Sequence, residues 1–339
     1  AGHLNLAEAV LDMAGGGPLP TPTLMEQIGL QNTPNPKLTE FSLDLALQED
    51  GRFDEVGPAG EVLWFLNRLE PEGVLKPHFC LRYNEIEYDR GVLSEAMLAL
   101  ERELDDELSP AMGKFQALNE VQFPLIYPHW RAGTLPLSGR VRHLFPTAYE
   151  SPRIRFMLVD GGTGEKFPGW VVRPHGYVYG LKEWYQAKGA MPGTLIKVKK
   201  GKVPGEVIVQ CETHRPNREW IRTVLVGSDG GVVFAMLKQQ ITTIYDERMA
   251  VVVPDPEALD QVWLQSQKDH VPFERVLVNT VRELAKLTPQ SHVHASELYT
   301  AVNIVRRCPP GPILALLASR PWFVHVGDLH FRFDDAERM

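Results

Sequence analysis

The sequence predicts a mixed α+β chain of several domains, and three observations carry that expectation. At roughly 150 residues per domain, a chain of 339 residues holds two or three of them. Both ends show apolar residues at helical spacing, whereas the middle is a succession of short apolar runs broken by Gly-rich turns. Charge is segregated along the same lines: residues 130–225 hold 16 Lys or Arg against 7 Asp or Glu, inside a chain of net charge −8. With 44% apolar and 23% charged residues, the composition is globular and excludes disorder across the chain. No apolar run reaches the ~18–20 residues of a membrane span, so no membrane partner is expected. The opening AGHLNLAEAV lacks the basic region and apolar core of a signal peptide. Three cysteines, Cys80, Cys211 and Cys308, do not make a disulfide framework, which makes a cytoplasmic setting the expectation.

Residues 1–70 read as three helices followed by a hairpin. Leu6, Ala7, Val10, Leu11 and Ala14 fall at helical spacing, and Gly15-Gly16-Gly17-Pro18 stops that helix. A short helix over 23–28 ends at Gly29, and Leu38, Phe41 and Leu45 mark one face of a third, ended by Gly51. Strands over 53–56 and 62–66 flank the turn Gly57-Pro58-Ala59-Gly60. Residues 256–339 open with a linking helix over 257–267 and then repeat the pattern. Phe273, Leu277, Val281 and Leu284 share a helical face, helices follow over 297–306 and 313–319, and strands over 322–326 and 329–333 close it. Leu47 to Phe53 and Leu317 to Phe323 have the same spacing, and Phe53-x-x-Val56-Gly57 matches Phe323-x-x-Val326-Gly327.

Three helices plus a two-stranded wing resembles the winged-helix module of bacterial RNA polymerase delta subunits and of some restriction-enzyme and chromatin proteins. The first copy carries 3 basic against 11 acidic residues, with Asp44, Glu49 and Asp50 on its third helix. Such a surface repels phosphate, so a basic protein partner is expected for it. In the last copy Arg306 and Arg307 precede the third helix and leave DNA contact open.

Residues 71–130 form an α/β connecting segment. A helix over 92–108 has Leu93, Met97, Leu100 and Leu104 on one face and ERELDDEL on the other, which reads as a solvated charge run; a buried strand is expected over 121–127. Residues 131–255 are β-rich. Strands are expected over 154–159, 170–172, 195–198 and 207–210, with Tyr177 and Tyr179 alternating before a helix over 181–188. Runs over 220–226 and 232–237 are expected to continue the same sheet. Many short strands between Gly-rich turns indicate a small barrel.

In this segment GTLPLSGRVRHLFP, IRFMLVDGGTGEKFPGW and YVYGLKEWYQAKGAMPGTLIKV resemble the DNA-binding pseudobarrel of plant auxin-response and related transcription factors, a barrel also found in the DNA-reading domain of certain restriction enzymes. Asp160, Gly164 and Trp170 stand for the family's hairpin motif, Gly180 to Trp184 for its helix and Pro192-Gly193 for its turn. The helix is longer than in plant members and the turn lacks their acidic residue. The resemblance implies two arms that grip the major groove, Ser138, Arg140, Arg142 and His143 on the first, and Lys166, Trp170, Arg173 and His175 on the second. Arginine offers a planar fork to guanine or phosphate, and Lys197, Lys199, Lys200 and Lys202 suit backbone phosphate. Arg215, Arg218 and Arg222 surround Trp220 in THRPNREWIR, a basic–aromatic interleaving that suits nucleic acid, although one tryptophan in a sheet is ordinarily core. Trp170 and Trp184 are likewise read as core.

The chain contains no G-x-S-x-G, H-E-x-x-H or Walker A motif. Pro254-Asp255 is not followed by the Glu-x-Lys or Asp-x-Lys of a restriction nuclease, and the Cys211/His214 and His78/Cys80 pairs lack a second half of a zinc site. No catalytic residue, metal or cofactor is therefore expected. The fold class expected is α+β and multidomain, a central pseudobarrel between winged-helix domains. The function expected is non-enzymatic double-stranded DNA binding, in transcription regulation or as a DNA modification and defence accessory. The other readings are a protein-interaction scaffold of the transcription machinery and a degenerate restriction-type nuclease.

Overall fold

A computed structural model describes residues 2–111 and 113–338. Helix α1 (Gly2–Met13), strand β1 (Leu19–Pro20), helices α2 (Thr21–Gln27) and α3 (Pro36–Glu49), and strands β2 (Phe53–Glu55) and β3 (Leu63–Leu66) come first. Helices α4 (Glu72–Leu75) and α5 (Glu95–Leu104), strand β4 (Glu120–Pro124), helix α6 (Tyr127–Ala132) and strand β5 (Thr134–Pro136) follow. The middle holds β6 (Arg153–Asp160), β7 (Lys166–Val172), β8 (Tyr177–Tyr179), α7 (Lys182–Lys188), β9 (Leu195–Lys200), β10 (Glu206–Gln210), β11 (Thr213–Val226) and β12 (Val232–Thr243). Helices α8 (Pro256–Lys268) and α9 (Phe273–Ala285), strand β13 (Val293–His294), helices α10 (Ala295–Val305) and α11 (Pro310–Ser319), and strands β14 (Phe323–Gly327) and β15 (His330–Phe333) complete the sequence of elements.

The fold is mixed α+β, as the alternation of patterns predicts. Its main sheet has seven strands in the order β4-β9-β10-β6-β7-β8-β5 and curls as a half-barrel. The runs expected to extend that sheet do not: β11 and β12 form a separate two-stranded sheet, with an isolated bridge from Thr223 to Val252. Among the described residues no helix is long and apolar enough to cross a membrane. Contacts divide the chain into two units, one of residues 1–77, 143–180 and 200–208, the other of residues 78–142, 181–199 and 209–339.

In the first unit, α1, α2 and α3 enclose Leu11, Leu24 and Leu47 against Phe53, Trp64 and Leu66. Asn35 caps α3 by accepting from the Leu38 N–H. The face of α3 turned inward carries Leu43 and Leu47, while Leu38, Phe41 and Leu45, the stripe read from sequence, stay exposed. The same unit contains β6, β7 and β8. Alternate residues of β6 are buried, as a half-buried strand requires. Phe65 meets Trp170 edge to face at 4.9 Å, and the Arg155 N–H donates to the Val56 carbonyl at 2.9 Å. Arg153 reaches Asp54 at 2.6 Å and Glu70 at 3.3 Å. Gly180 closes β8 with φ +123, and a Cβ there would lie 2.5 Å from the Pro168 carbonyl oxygen, so only glycine fits.

The second unit contains a module with the element order of the first six elements. Helix, strand, helix, helix, strand, strand recur as α9, β13, α10, α11, β14 and β15. Registers correspond too. Leu19 lies opposite Trp64 and Phe53 opposite Leu66; Val293 lies opposite Phe331 and Phe323 opposite Phe333. Short strands β1 and β13, each lying just ahead of a helix, leave too few residues for a periodic signal in the sequence.

The acidic run after α5 is not solvated. α5 stops at Leu104, where Asp105 takes a left-handed conformation with φ 46. Glu101 is buried and receives both guanidinium nitrogens of Arg90, at 2.7 and 3.0 Å. Asp106 is buried in a two-bond pair with Arg307, at 2.6 and 2.7 Å, and Glu107 lies 2.9 Å from the same guanidinium. Tyr299 donates its hydroxyl to Asp106 at 2.5 Å. His129 bridges Glu107 and Thr134, each at 2.7 Å. Burial pushes the Glu107 carboxyl up, but His129 and Arg307 outweigh it and hold that group below the ordinary range. Arg307, one of the two arginines that left DNA contact open in the sequence, is thus an interior residue, and Arg306 is half-buried with its guanidinium on the Val271 carbonyl at 2.7 Å.

Two stability predictions follow from these clusters. Arg307→Met preserves side-chain volume but strands two buried carboxylates, so urea denaturation should show a loss of about 3–5 kcal/mol. In the first unit, Glu70 is pushed up to about 8, first by burial, then by its hydrogen bond with Asp54 and repulsion from it. A carboxyl raised in this way contributes stability in full below its unfolded pKa, and that contribution is lost as pH rises through the folded value. Glu70→Gln carries no charge at any pH. Its melting temperature should match the wild type near pH 4 and exceed it at pH 9, by an amount worth roughly 1–2 kcal/mol.

Candidate nucleic-acid interface

In the first unit, three loops border one open groove of about 760 Å³. They are the β2–β3 turn (57–61), the segment 143–147, and the β9–β10 loop (201–205). The Ala59 N–H donates to the Thr147 carbonyl at 2.7 Å, and the β9–β10 loop is closed by the Gly201 N–H on the Glu206 carbonyl at 3.1 Å. His143, Lys200 and Lys202 line this groove together with Glu61 and Glu206. The Glu206 carboxylate is engaged by Lys166 at 2.5 Å, which removes part of its repulsion toward an anion. Lys200 and Lys202 are exposed and form no ion pair among the described residues. Four residues singled out from sequence are thereby brought to one place. Arg173 and His175 are exposed in the same unit, Arg173 donating to the Ser151 carbonyl at 2.9 Å and His175 stacked near Tyr177.

The remaining first-arm residues lie in the second unit and mostly serve structure there. Ser138 is 2% exposed, and its carbonyl accepts from the Val141 and Arg142 N–H groups. Arg140 binds the end of α5. Its N–H donates to Asp105 at 3.0 Å, and its guanidinium reaches the carbonyls of Arg102 and Glu103. A cation on the last carbonyls of a helix is favourable. Ser138 is thus buried away from a ligand, and the Arg140 guanidinium is engaged on the end of α5. Arg142 is exposed at the start of a short 3-10 turn. Lys197 and Lys199 share Glu120 across the β4–β9 pair, at 3.1 and 4.0 Å, which weakens their expected role on phosphate.

The β11–β12 ribbon gives the opposite result. Trp220 is 64% exposed and is not core. It lies opposite Lys238, whose ammonium sits 5.7 Å from the ring centroid. Arg218 lies opposite Gln240 on the same face, and Arg215 is exposed in the adjoining irregular stretch. Strand twist explains the exposure. Near its turn the ribbon buries Val224 and Phe234, residues of this face, in the main core; at its other end the opposite face buries Ile221 and Ile241 against Met191 and Ala250. Arg222 turns inward instead, donating to the Arg248 and Ala250 carbonyls and pairing with Glu297. Lys238 lies 18 positions beyond Trp220 in sequence, so no local motif joined them.

A cleft of about 950 Å³ between the β11–β12 turn, α8 and α9 carries Asp229, Asp269 and Glu283 on its walls, and its Arg282 is paired with Asp335. It does not suit an anion. Asp255, the residue that invites a nuclease reading, caps α8 through the Ala258 N–H at 3.1 Å. His78 Nδ1 accepts from the Cys80 N–H. Burial raises the thiols of Cys80 and Cys308 far above the ordinary range, which makes both poor nucleophiles. Among the described residues no three His, Cys, Asp or Glu side chains are grouped to hold a metal ion. Comparison with protein-family models, curated proteins and solved structures finds no match for this chain. Arg140→Ala should cost about 1 kcal/mol of stability in thermal unfolding and leave duplex DNA affinity within threefold of wild type by fluorescence anisotropy.

Proposed function

We propose that this protein is a non-enzymatic, double-stranded DNA-binding protein, acting in transcription regulation or in DNA modification and defence. The convergence of His143, Lys200 and Lys202 on one open groove, with Lys166 beside it, carries the reading. A groove that presents exposed Lys200 and Lys202, with no ion pair to either among the described residues, between protruding loops suits the phosphate backbone. Arg173 and His175, on the second arm, are assigned to the same ligand. The central strands are read as a pseudobarrel of the plant-factor and restriction-enzyme type, and the terminal modules as winged helices. Matched element order and register at both ends support the second assignment. The N-terminal module is assigned to a basic protein partner, because the exposed face of α3 with Leu38, Phe41 and Leu45 is apolar inside an acidic segment.

The test is anisotropy of the full chain on a random-sequence duplex across a salt series. Counterion release gives a log–log slope of about −0.9 per phosphate neutralised. Replacing Lys200 and Lys202 together by Ala should flatten the slope by about 1.8 and weaken binding tenfold or more near 0.1 M salt. Wild type that fails to bind at ~50 mM salt, or a double variant with an unchanged slope, refutes the assignment.

A further inference from the structure

The ribbon β11–β12 offers a surface that the duplex reading does not use. On one face Arg218 and Trp220 alternate on β11, opposite Gln240 and Lys238 on β12. Arg218, Lys238 and the neighbouring Arg215 form no ion pair among the described residues. Glu219, the nearest carboxylate in sequence, points to the other face, where Tyr245 donates to it at 3.5 Å. The result is an exposed indole framed by cations with no carboxylate among the paired residues of its face.

We infer that this face binds single-stranded nucleic acid, with an unpaired base stacked on Trp220 and phosphates held by Arg218, Lys238 and Arg215. The chemistry of the partner follows from the surface. An indole gains from stacking only on a base whose own face is uncovered, and in an intact duplex each base face is covered by its neighbours. Stacking of this kind is worth about 1–3 kcal/mol per base and tolerates any sequence. Same-face residues along a strand are about 6.8 Å apart, whereas stacked nucleotides rise only about 3.4 Å each. Arg218 and Trp220, same-face neighbours on β11, are therefore spaced for an extended, unstacked strand. The ribbon's rigidity supports the role, since both of its ends are packed into cores and the indole is presented without ordering a loop. The inference stands on the second unit alone and does not depend on the groove of the first.

The experiment uses the full chain and a fluorescein-labelled oligothymidylate, which cannot pair with itself, alongside a blunt duplex of mixed sequence. Trp220→Ala should weaken oligothymidylate binding by about tenfold or more and change duplex binding less than threefold. Trp220→Phe should restore the single-strand affinity to within about threefold of wild type, because it keeps an aromatic face. Lys238→Gln should flatten the single-strand salt slope by about 0.7, and gives a second readout that keeps the indole in place. Thermal unfolding of each variant confirms that an exposed substitution leaves the fold intact. No oligothymidylate binding by wild type at ~50 mM salt, equal losses on both ligands in Trp220→Ala, or wild-type affinity in that variant overturns the inference. Loss of duplex binding on replacing Lys200 and Lys202, with single-strand binding retained, separates the two sites.

Discussion

The bond between Arg307 and Asp106 is the contact on which the second unit depends. It ties the end of the α5 segment to the turn between α10 and α11, across 201 residues of sequence. Both side chains have no exposure, so the pair depends on how its remaining donors and acceptors are met. Tyr299, Asn303 and Glu107 meet all but the Arg307 Nε, which has no hydrogen-bond partner among the described residues, and His129 carries the network on to Thr134 at the start of β5. Helix α6, strand β5 and the C-terminal module are thereby positioned by one polar cluster within an apolar core. Such networks specify one arrangement strongly, because any alternative strands a charge away from water.

The first unit uses the same device at another place. Arg153 on β6 stands between Asp54 of the β2–β3 hairpin and Glu70. Here one arginine faces two carboxylates with fewer supporting donors, and Glu70 keeps its proton into the neutral range. The acidic N-terminal module is thus joined to the basic central hairpin by a charge pair and by the Phe65–Trp170 contact. Acidic and basic segments are partners within one unit rather than opposed halves.

This changes how the basic segment bears on function. Of its cations, Arg140, Arg153 and Arg222 hold backbone or carboxylates in place, and Lys197 and Lys199 share one glutamate. The cations left to a ligand are the few on loops and on the ribbon. Their positions, rather than the net charge of the segment, distinguish the groove of the first unit from the indole-centred face of the second.

The sequence by itself determined the elements that local chemistry controls. Helical spacing placed α1 and α9, turn glycines placed the hairpins, and the FDEVG and FVHVG strands marked the element order that the two ends share. It also marked Lys200 and Lys202 as cations of a basic hairpin loop, because loop tips of that composition stay in water. Only the tertiary structure decided which charges are buried and which aromatic is exposed. ERELDDEL looked solvated because its partner Arg307 is far away in sequence, and Trp220 looked like core because strand twist, which turns its face outward, leaves no periodic trace. Burial of a charge or exposure of an indole is set by a partner across the fold, and a one-dimensional pattern carries no information about that partner.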